Sequence, residues 1–226
     1  NETAPRAMGV LRPLKVVIEN YPEGQVEEFD APNHPQKPEF GTRKVPFGRE
    51  IYIERDDFMD DPPKKFFRLA PGREVRLRCA YFIRCESVVR DPASGEIVEL
   101  RCSYDPATRG GSAPDGRKVK GTIHWVCASH GIEAEVRIYD RLFTEANPDA
   151  GKAGGGSYRD LLNRQSLEIL TGCRLEPGLA AAGAEDRYQF ERLGYYCVDA
   201  VASTAKIPVF NQIVTLRDSW AKGGAD

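Results

Sequence analysis

The stretch Glu74-Val75-Arg76-Leu77-Arg78-Cys79-Ala80-Tyr81-Phe82-Ile83-Arg84 decides the fold class. Val75, Leu77, Cys79, Tyr81 and Ile83 alternate with Arg76, Arg78, Ala80, Phe82 and Arg84. A period of two is the signature of a pleated strand, so one face is apolar and the other carries three arginines and a phenylalanine. Shorter strand-like runs lie at 15–19, 50–54, 96–102, 122–127, 135–143, 187–199 and 209–216. Turn chemistry separates them at Pro71-Gly72, Pro92 to Gly95, Pro114-Asp115-Gly116 and Asn147-Pro148-Asp149. Many short strands so punctuated predict a mainly β protein of closed antiparallel barrels, with a few short helices. A helix is expected from Ser157, which with Asp160 forms a capping-box variant before Leu161-Leu162.

The 226 residues are enough for one large domain or two smaller ones. With 41% hydrophobic and 29% charged residues, the chain has the composition of a folded protein in water. No apolar run approaches the roughly 20 residues that a bilayer-spanning helix needs. A net charge of −2 excludes a uniformly basic coat for nucleic acid while leaving room for a basic face. Six cysteines without close pairing read as reduced, mostly buried thiols of a cytosolic protein. The segment from Asn1 to Ala7 reads as polypeptide continuing from something longer.

Residues that could carry catalysis are sparse. His124, between Ile123 and Trp125, reads as a structural histidine inside a strand. Cys127 and His130 flank one turn and have no evident third partner, which argues against a nucleophile pair. No second close pair completes a zinc site around them. Gly151 to Gly156 lacks the Gly-Lys-Ser/Thr ending of a phosphate loop and reads as a flexible connection. Asp56, Asp57, Asp60 and Asp61 lack calcium-loop spacing and read as a solvated turn leading into Pro62-Pro63. The remaining pattern is one of binding. Lys64, Lys65, Arg68, Arg73, Arg76, Arg78, Arg84 and Arg90 stand against only Glu74 and Glu86, with Phe66, Phe67, Tyr81 and Phe82 interleaved. Cationic side chains among flat rings suit unstacked RNA bases, although a solvated strand face has the same composition.

Several ordered motifs narrow the choice. They are the opening Asn1 to Met8, Pro32-Asn33-His34-Pro35, Phe67-Arg68-Leu69, Glu74-Val75-Arg76-Leu77-Arg78, and Asp115 through Val126. Tyr139-Asp140-Arg141-Leu142-Phe143, Gln189-Phe190-Glu191-Arg192 and Leu216 through Lys222 complete the set. Together they resemble the C-terminal, anticodon-binding half of bacterial glutaminyl-tRNA synthetases, over essentially the whole chain. The resemblance implies two ribosomal-protein-like β-barrels: a discontinuous proximal barrel of residues 1–22 and 118–226, and a distal barrel of 23–117. It implies no catalytic residue, metal or cofactor in this chain. The ATP site and the His-Ile-Gly-His-type and Lys-Met-Ser-Lys-Ser-type signatures belong to a preceding catalytic domain, which would be its partner together with the anticodon loop of tRNA(Gln). No membrane partner is expected, and the protein is expected to be a monomer.

Carried over by position, Arg6, Pro35, Gln36, Lys65 and Gln189 match the surroundings of the middle anticodon base, a uridine. Arg76 matches the contact to the first base, cytidine or a modified uridine. Arg68 matches the contact to the third, guanosine, with Phe67 beside it, and Arg192 is expected to help position Gln189. An arginine fork suits the two acceptors of a guanine edge, and an amide suits uracil's mixed edge. Family members have Gln at position 65 and Lys at 67, so Lys65 offers only donors and Phe67 either stacks on a splayed base or packs inward. Two other readings remain. One is the matching half of a glutamyl-tRNA synthetase, whose anticodons differ at the third base, where Arg68 favours guanine. The other is a stand-alone barrel binding ribosomal RNA, or a small hydrolase using Cys127 and His130.

Overall fold

A computed structural model describes residues 2–147 and 157–216. In chain order the strands are β1 (Arg6–Ala7), β2 (Gly9–Val10), β3 (Pro13–Ile18), β4 (Val26–Pro32), β5 (Thr42–Gly48), β6 (Glu50–Glu54), β7 (Glu74–Leu77) and β8 (Phe82–Arg90). They continue with β9 (Ile97–Asp105), β10 (Thr122–Ile123), β11 (Val126–Cys127), β12 (Ile132–Tyr139), β13 (Leu167–Leu175), β14 (Arg187–Phe190), β15 (Gly194–Val198) and β16 (Val209–Thr215).

The alternating stretch at 75–84 is a hairpin rather than one strand. The chain reverses between β7 and β8 around Cys79, which adopts φ 62°, and the Ala80 N–H closes the turn on the Leu77 carbonyl at 3.1 Å. The register pairs residues of like parity about Cys79, so the faces survive the reversal. Val75 lies opposite Ile83, both buried, and Arg76 lies opposite Phe82. The run at 187–199 likewise divides into β14 and β15, turning at Arg192 with φ 68°.

The strands form two seven-stranded sheets, ordered β1-β14-β15-β16-β12-β13-β2 and β10-β7-β8-β9-β3-β6-β11. Each is barrel-like for the same reason. Its two end strands are neighbours in sequence, separated by Met8 in the first sheet and by His124-Trp125 in the second. β1 runs parallel to β14 while β2 runs antiparallel to β13. β10 runs parallel to β7 while β11 runs antiparallel to β6. The pairs β12/β16 and β3/β9 are also parallel, so the barrels are mixed and not purely antiparallel as the turn pattern predicts. β3, β10 and β11, expected within the proximal barrel of 1–22 and 118–226, pair in the second sheet. The chain crosses between sheets at 10–13 and 127–132.

β4 and β5 form a separate hairpin whose Phe29, Ala31, Val45 and Phe47 pack into the core of the second sheet. Residues 6–11 are buried throughout, between the two cores. Ala7 and Leu11 join the core of the first sheet, whereas Met8 and Val10 join that of the second.

The helix expected from Ser157 is a single 3-10 turn, Tyr158–Leu161. Its capping box is present, with the Ser157 N–H donating to the Asp160 carboxylate at 3.0 Å and the Ser157 hydroxyl accepting from the Arg159 N–H at 3.3 Å. It ends because the chain beyond it pairs with 142–144: the Thr144 N–H donates to the Leu161 carbonyl and the Asn163 N–H to that of Leu142. The Gly151–Gly156 loop, the Pro148-Asp149 turn and the motif beyond Leu216 lie outside the described residues. Among the described residues no helix is long and apolar enough to cross a membrane.

Candidate nucleic-acid interface

Of the residues predicted to meet the middle base, Arg6, Gln189 and the Pro35-Gln36 loop lie together at the seam between the sheets, whereas Lys65 lies apart, beside Phe67. β1 and β14 place Arg6 in register with Gln189, and the Arg6 N–H donates to the Asn33 carbonyl at 2.7 Å, which brings the 33–36 loop onto the same edge. Within that loop His34 is buried against Phe40, and its Nδ1 accepts from the Gln36 N–H at 3.2 Å, holding Pro35 and Gln36 outward and exposed. Arg6 and Gln189 are enclosed, each less than 10% exposed. The Gln189 Oε1 is buried and accepts no hydrogen bond. An unsatisfied buried acceptor costs about 1–3 kcal/mol, which a donor arriving on a ligand would recover.

The second group lies on the β7 edge of the second sheet. The Arg76 N–H donates to the Gly121 carbonyl at 3.0 Å, and its guanidinium lies over Phe82, 5.3 Å from the ring centroid. The loop at Gly111, with φ 87°, packs onto the Arg76 side chain and leaves its Nε buried without a partner. Arg117 lies over the same ring and is held by Glu74, Asp105 and Asp115. Gly121 also abuts Phe67: a Cβ at position 121 would come within 1.8 Å of the Phe67 carbonyl oxygen. Arg76, Phe67 and Arg68 therefore share one surface. Of the two fates open to Phe67, the structure shows the outward one, with the ring 51% exposed and the Lys120 ammonium 4.8 Å from its centroid. Lys65 is exposed two residues before it. Phe66, Phe67, Arg68, Arg73, Lys118 and Lys120 line an open depression of about 360 Å³.

Arg68 and Arg192 meet on one carboxylate. Arg192 donates to both oxygens of Asp57, at 2.5 and 2.7 Å, from the turn of the first sheet. Arg68 approaches the same group, Nε to Oδ1 at 3.3 Å, and donates from Nη1 to the Asp56 carbonyl at 2.9 Å. Asp57 is 1% exposed, so the expectation of a wholly solvated acidic turn is corrected; Asp56, Asp60 and Asp61 are exposed as expected. Sequence spacing could not separate Asp57 from its neighbours, because its partners are remote in the chain. Arg192 therefore reaches across to the second sheet, and no hydrogen bond between it and the Gln189 side chain accompanies the expected positioning role. Its Nη1 lies 3.2 Å from His124 Nδ1, which must accept, leaving the Nε2 hydrogen directed toward Glu54 at 3.7 Å. Burial alone would raise the Glu54 carboxyl. Contact with His124 and hydrogen bonds from the N–H groups of Leu11 (2.6 Å) and Arg12 (3.1 Å) hold it below the ordinary glutamate value.

Part of the basic excess is neutralised across the fold, Arg78 by Glu191 and Arg90 by Asp60. Lys64 and Lys65, and across the depression Lys118 and Lys120, have no carboxylate partner among the described residues. Cys127 is buried, with its Sγ 3.9 Å from His130 Nδ1 and the Ser129 hydroxyl 2.9 Å from that nitrogen. A sulfur enclosed in the core does not present itself to a substrate. Among the described residues no cluster of three or more His, Cys, Asp or Glu could hold a metal.

Comparison with known proteins identifies the family. Two family models, both described as the anticodon-binding domain of class I tRNA synthetases (E and Q), match residues 4–105 and 122–199. The glutamine–tRNA ligase of Nitrobacter hamburgensis is 58% identical over 225 residues, covering 100% of this chain and 39% of the relative. That of Pseudomonas putida is 60% identical over 220 residues, covering 97% and 38%. The chain thus spans well under half the length of these relatives.

Proposed function

This chain belongs to the anticodon-binding domains of the class I tRNA synthetases for glutamate and glutamine, and we propose that it reads the anticodon C/U-U-G of tRNA(Gln). In this reading Arg6, Gln189 and the Pro35-Gln36 loop enclose the central uridine, whose N3–H meets the unsatisfied Gln189 Oε1. Arg76, fixed on Phe82, meets the first base. Arg68 meets the guanine acceptors of the third. Lys65, Lys118 and Lys120 attract the backbone, and Phe67 stacks. The observation that carries the reading is the buried, unpartnered Gln189 acceptor set beside Arg6 at the seam. The parent protein attaches glutamine to tRNA using ATP bound in a catalytic domain outside this chain, as a monomer in the cytosol.

Binding to anticodon stem-loops bearing CUG, CUC and a scrambled loop, at two salt concentrations, tests the proposal. A preference for CUG that survives the higher salt is expected. Equal binding that collapses with salt would reduce the surface to a phosphate-binding face.

A further inference from the structure

We infer that Asp57 is a positioning residue for third-base recognition: it holds the Arg68 guanidinium in a fixed pose, and is itself held across the seam by Arg192. Four observations carry this. Asp57 is almost fully buried, yet its side-chain partners among the described residues are arginines. Arg192 adopts φ 68°, a region that a non-glycine residue keeps only where the surroundings impose it. Its two-pronged grip on Asp57 supplies that imposition and uses both carboxylate oxygens. Arg68 then spends Nε on Asp57 and Nη1 on the Asp56 carbonyl, while Nη2 has no partner among the described residues. A long, mobile side chain is thereby reduced to one with a set direction and donors left over, the condition for reading two acceptors on one base edge. Because Arg192 follows Gln189 by three residues in the same hairpin, this contact also ties the third-base reader to the strand carrying the middle-base reader.

The inference rests on the proposed reading of Arg68, and the test separates the two. CUG, CUC and AUG stem-loops are bound to wild type, Arg68→Ala and Asp57→Asn, with folding checked by thermal melting. Arg68→Ala should lower the CUG/CUC ratio. Asp57→Asn should lower the same ratio about tenfold, within the range of one lost base contact, and leave CUG/AUG unchanged. General destabilisation weakens all three stem-loops alike and leaves both ratios unchanged. An unchanged CUG/CUC ratio in Asp57→Asn when Arg68→Ala has lost it overturns the inference, as does an equal fall in CUG/AUG. An unchanged ratio in Arg68→Ala overturns the reading itself, and the inference with it. Should Asp57→Asn fail to fold, the Arg68 Nε–H relaxation in wild type decides: backbone-like rigidity supports the inference, and free side-chain motion ends it.

Discussion

The two sheets close alike but are held differently at the closure. In each, a short segment bends so that its halves pair with opposite edges, one parallel and one antiparallel. In the second sheet the bend contains Trp125, fully buried, its indole N–H donating to the Arg78 carbonyl at 2.9 Å and its ring edge-on to Phe47 at 5.1 Å. In the first, the bend at Met8 and the exit at Leu11-Arg12 are held by carboxylates. Glu176 accepts from the Met8 N–H at 3.0 Å and pairs with Arg43 at 2.6 Å, and Glu54 accepts from Leu11 and Arg12. The Trp125 plug carries no titrating group, although His124 beside it meets Glu54, whereas the first closure rests on buried carboxylates that respond to pH. The sheets should therefore fail under different conditions.

The largest effect is expected from Trp125→Ala, about 3–5 kcal/mol by the usual cost of deleting a buried large aromatic. Hydrogen exchange should show β7 to β11 losing protection before β12 to β16; equal loss would make the two closures one cooperative unit. Next comes Gly9→Ala, whose Cβ would lie 2.7 Å from Leu175 and 3.1 Å from Phe190. Overpacking of this kind costs about 1–3 kcal/mol, and urea denaturation should place the loss in the first sheet. Glu54→Gln should cost about 1–2 kcal/mol at pH 7, from a weakened charge-assisted acceptor. Its folded value is depressed, so its stabilisation is present above the ordinary value of 4.5 and lost as pH falls through the folded one. The penalty of the substitution should thus hold steady over the interval from pH 7 to 4.5 and shrink only below it. Glu176 supplies the smallest effect, a slope of opposite sign. Burial raises its carboxyl above 4.5 despite Arg43 and the Met8 N–H, so the wild-type protein loses stability relative to Glu176→Gln as pH rises through that interval. Parallel pH profiles for the two variants would remove the distinction.

Much of this was legible in the residues. β6 coincides with the run at 50–54, and the period of two at 75–84 assigned the faces correctly even though the element is a hairpin. Parity about Cys79 is blind to whether the chain continues or returns. β1 and β2 have two residues each, too few to show any period, and β10 and β11 lie at the two ends of the run at 122–127, which reads as one strand, so neither closing bend shows in the pattern. β13 was missed because Gly172, at φ 70°, interrupts it, and its outward positions carry Leu167 and Ile169 in place of polar residues. Of the candidate site residues, Arg6, Gln189, Arg68 and Arg76 are singled out by motifs. Asp57 is not, since Arg192, which donates to both its carboxylate oxygens, comes from a distant part of the chain.

Chain-closed rings also impose an order of assembly. The second ring has all its strands once Cys127 has emerged, whereas β1 and β2 wait for β13 to β16. At roughly 5–20 residues per second, translation from Cys127 to Thr215 takes about 4–18 s, during which the second ring is complete and residues 6–11 still lack theirs. During that interval Met8 and Val10 can already settle into the finished second core, leaving Ala7 and Leu11 outward as the template on which the first ring is laid down.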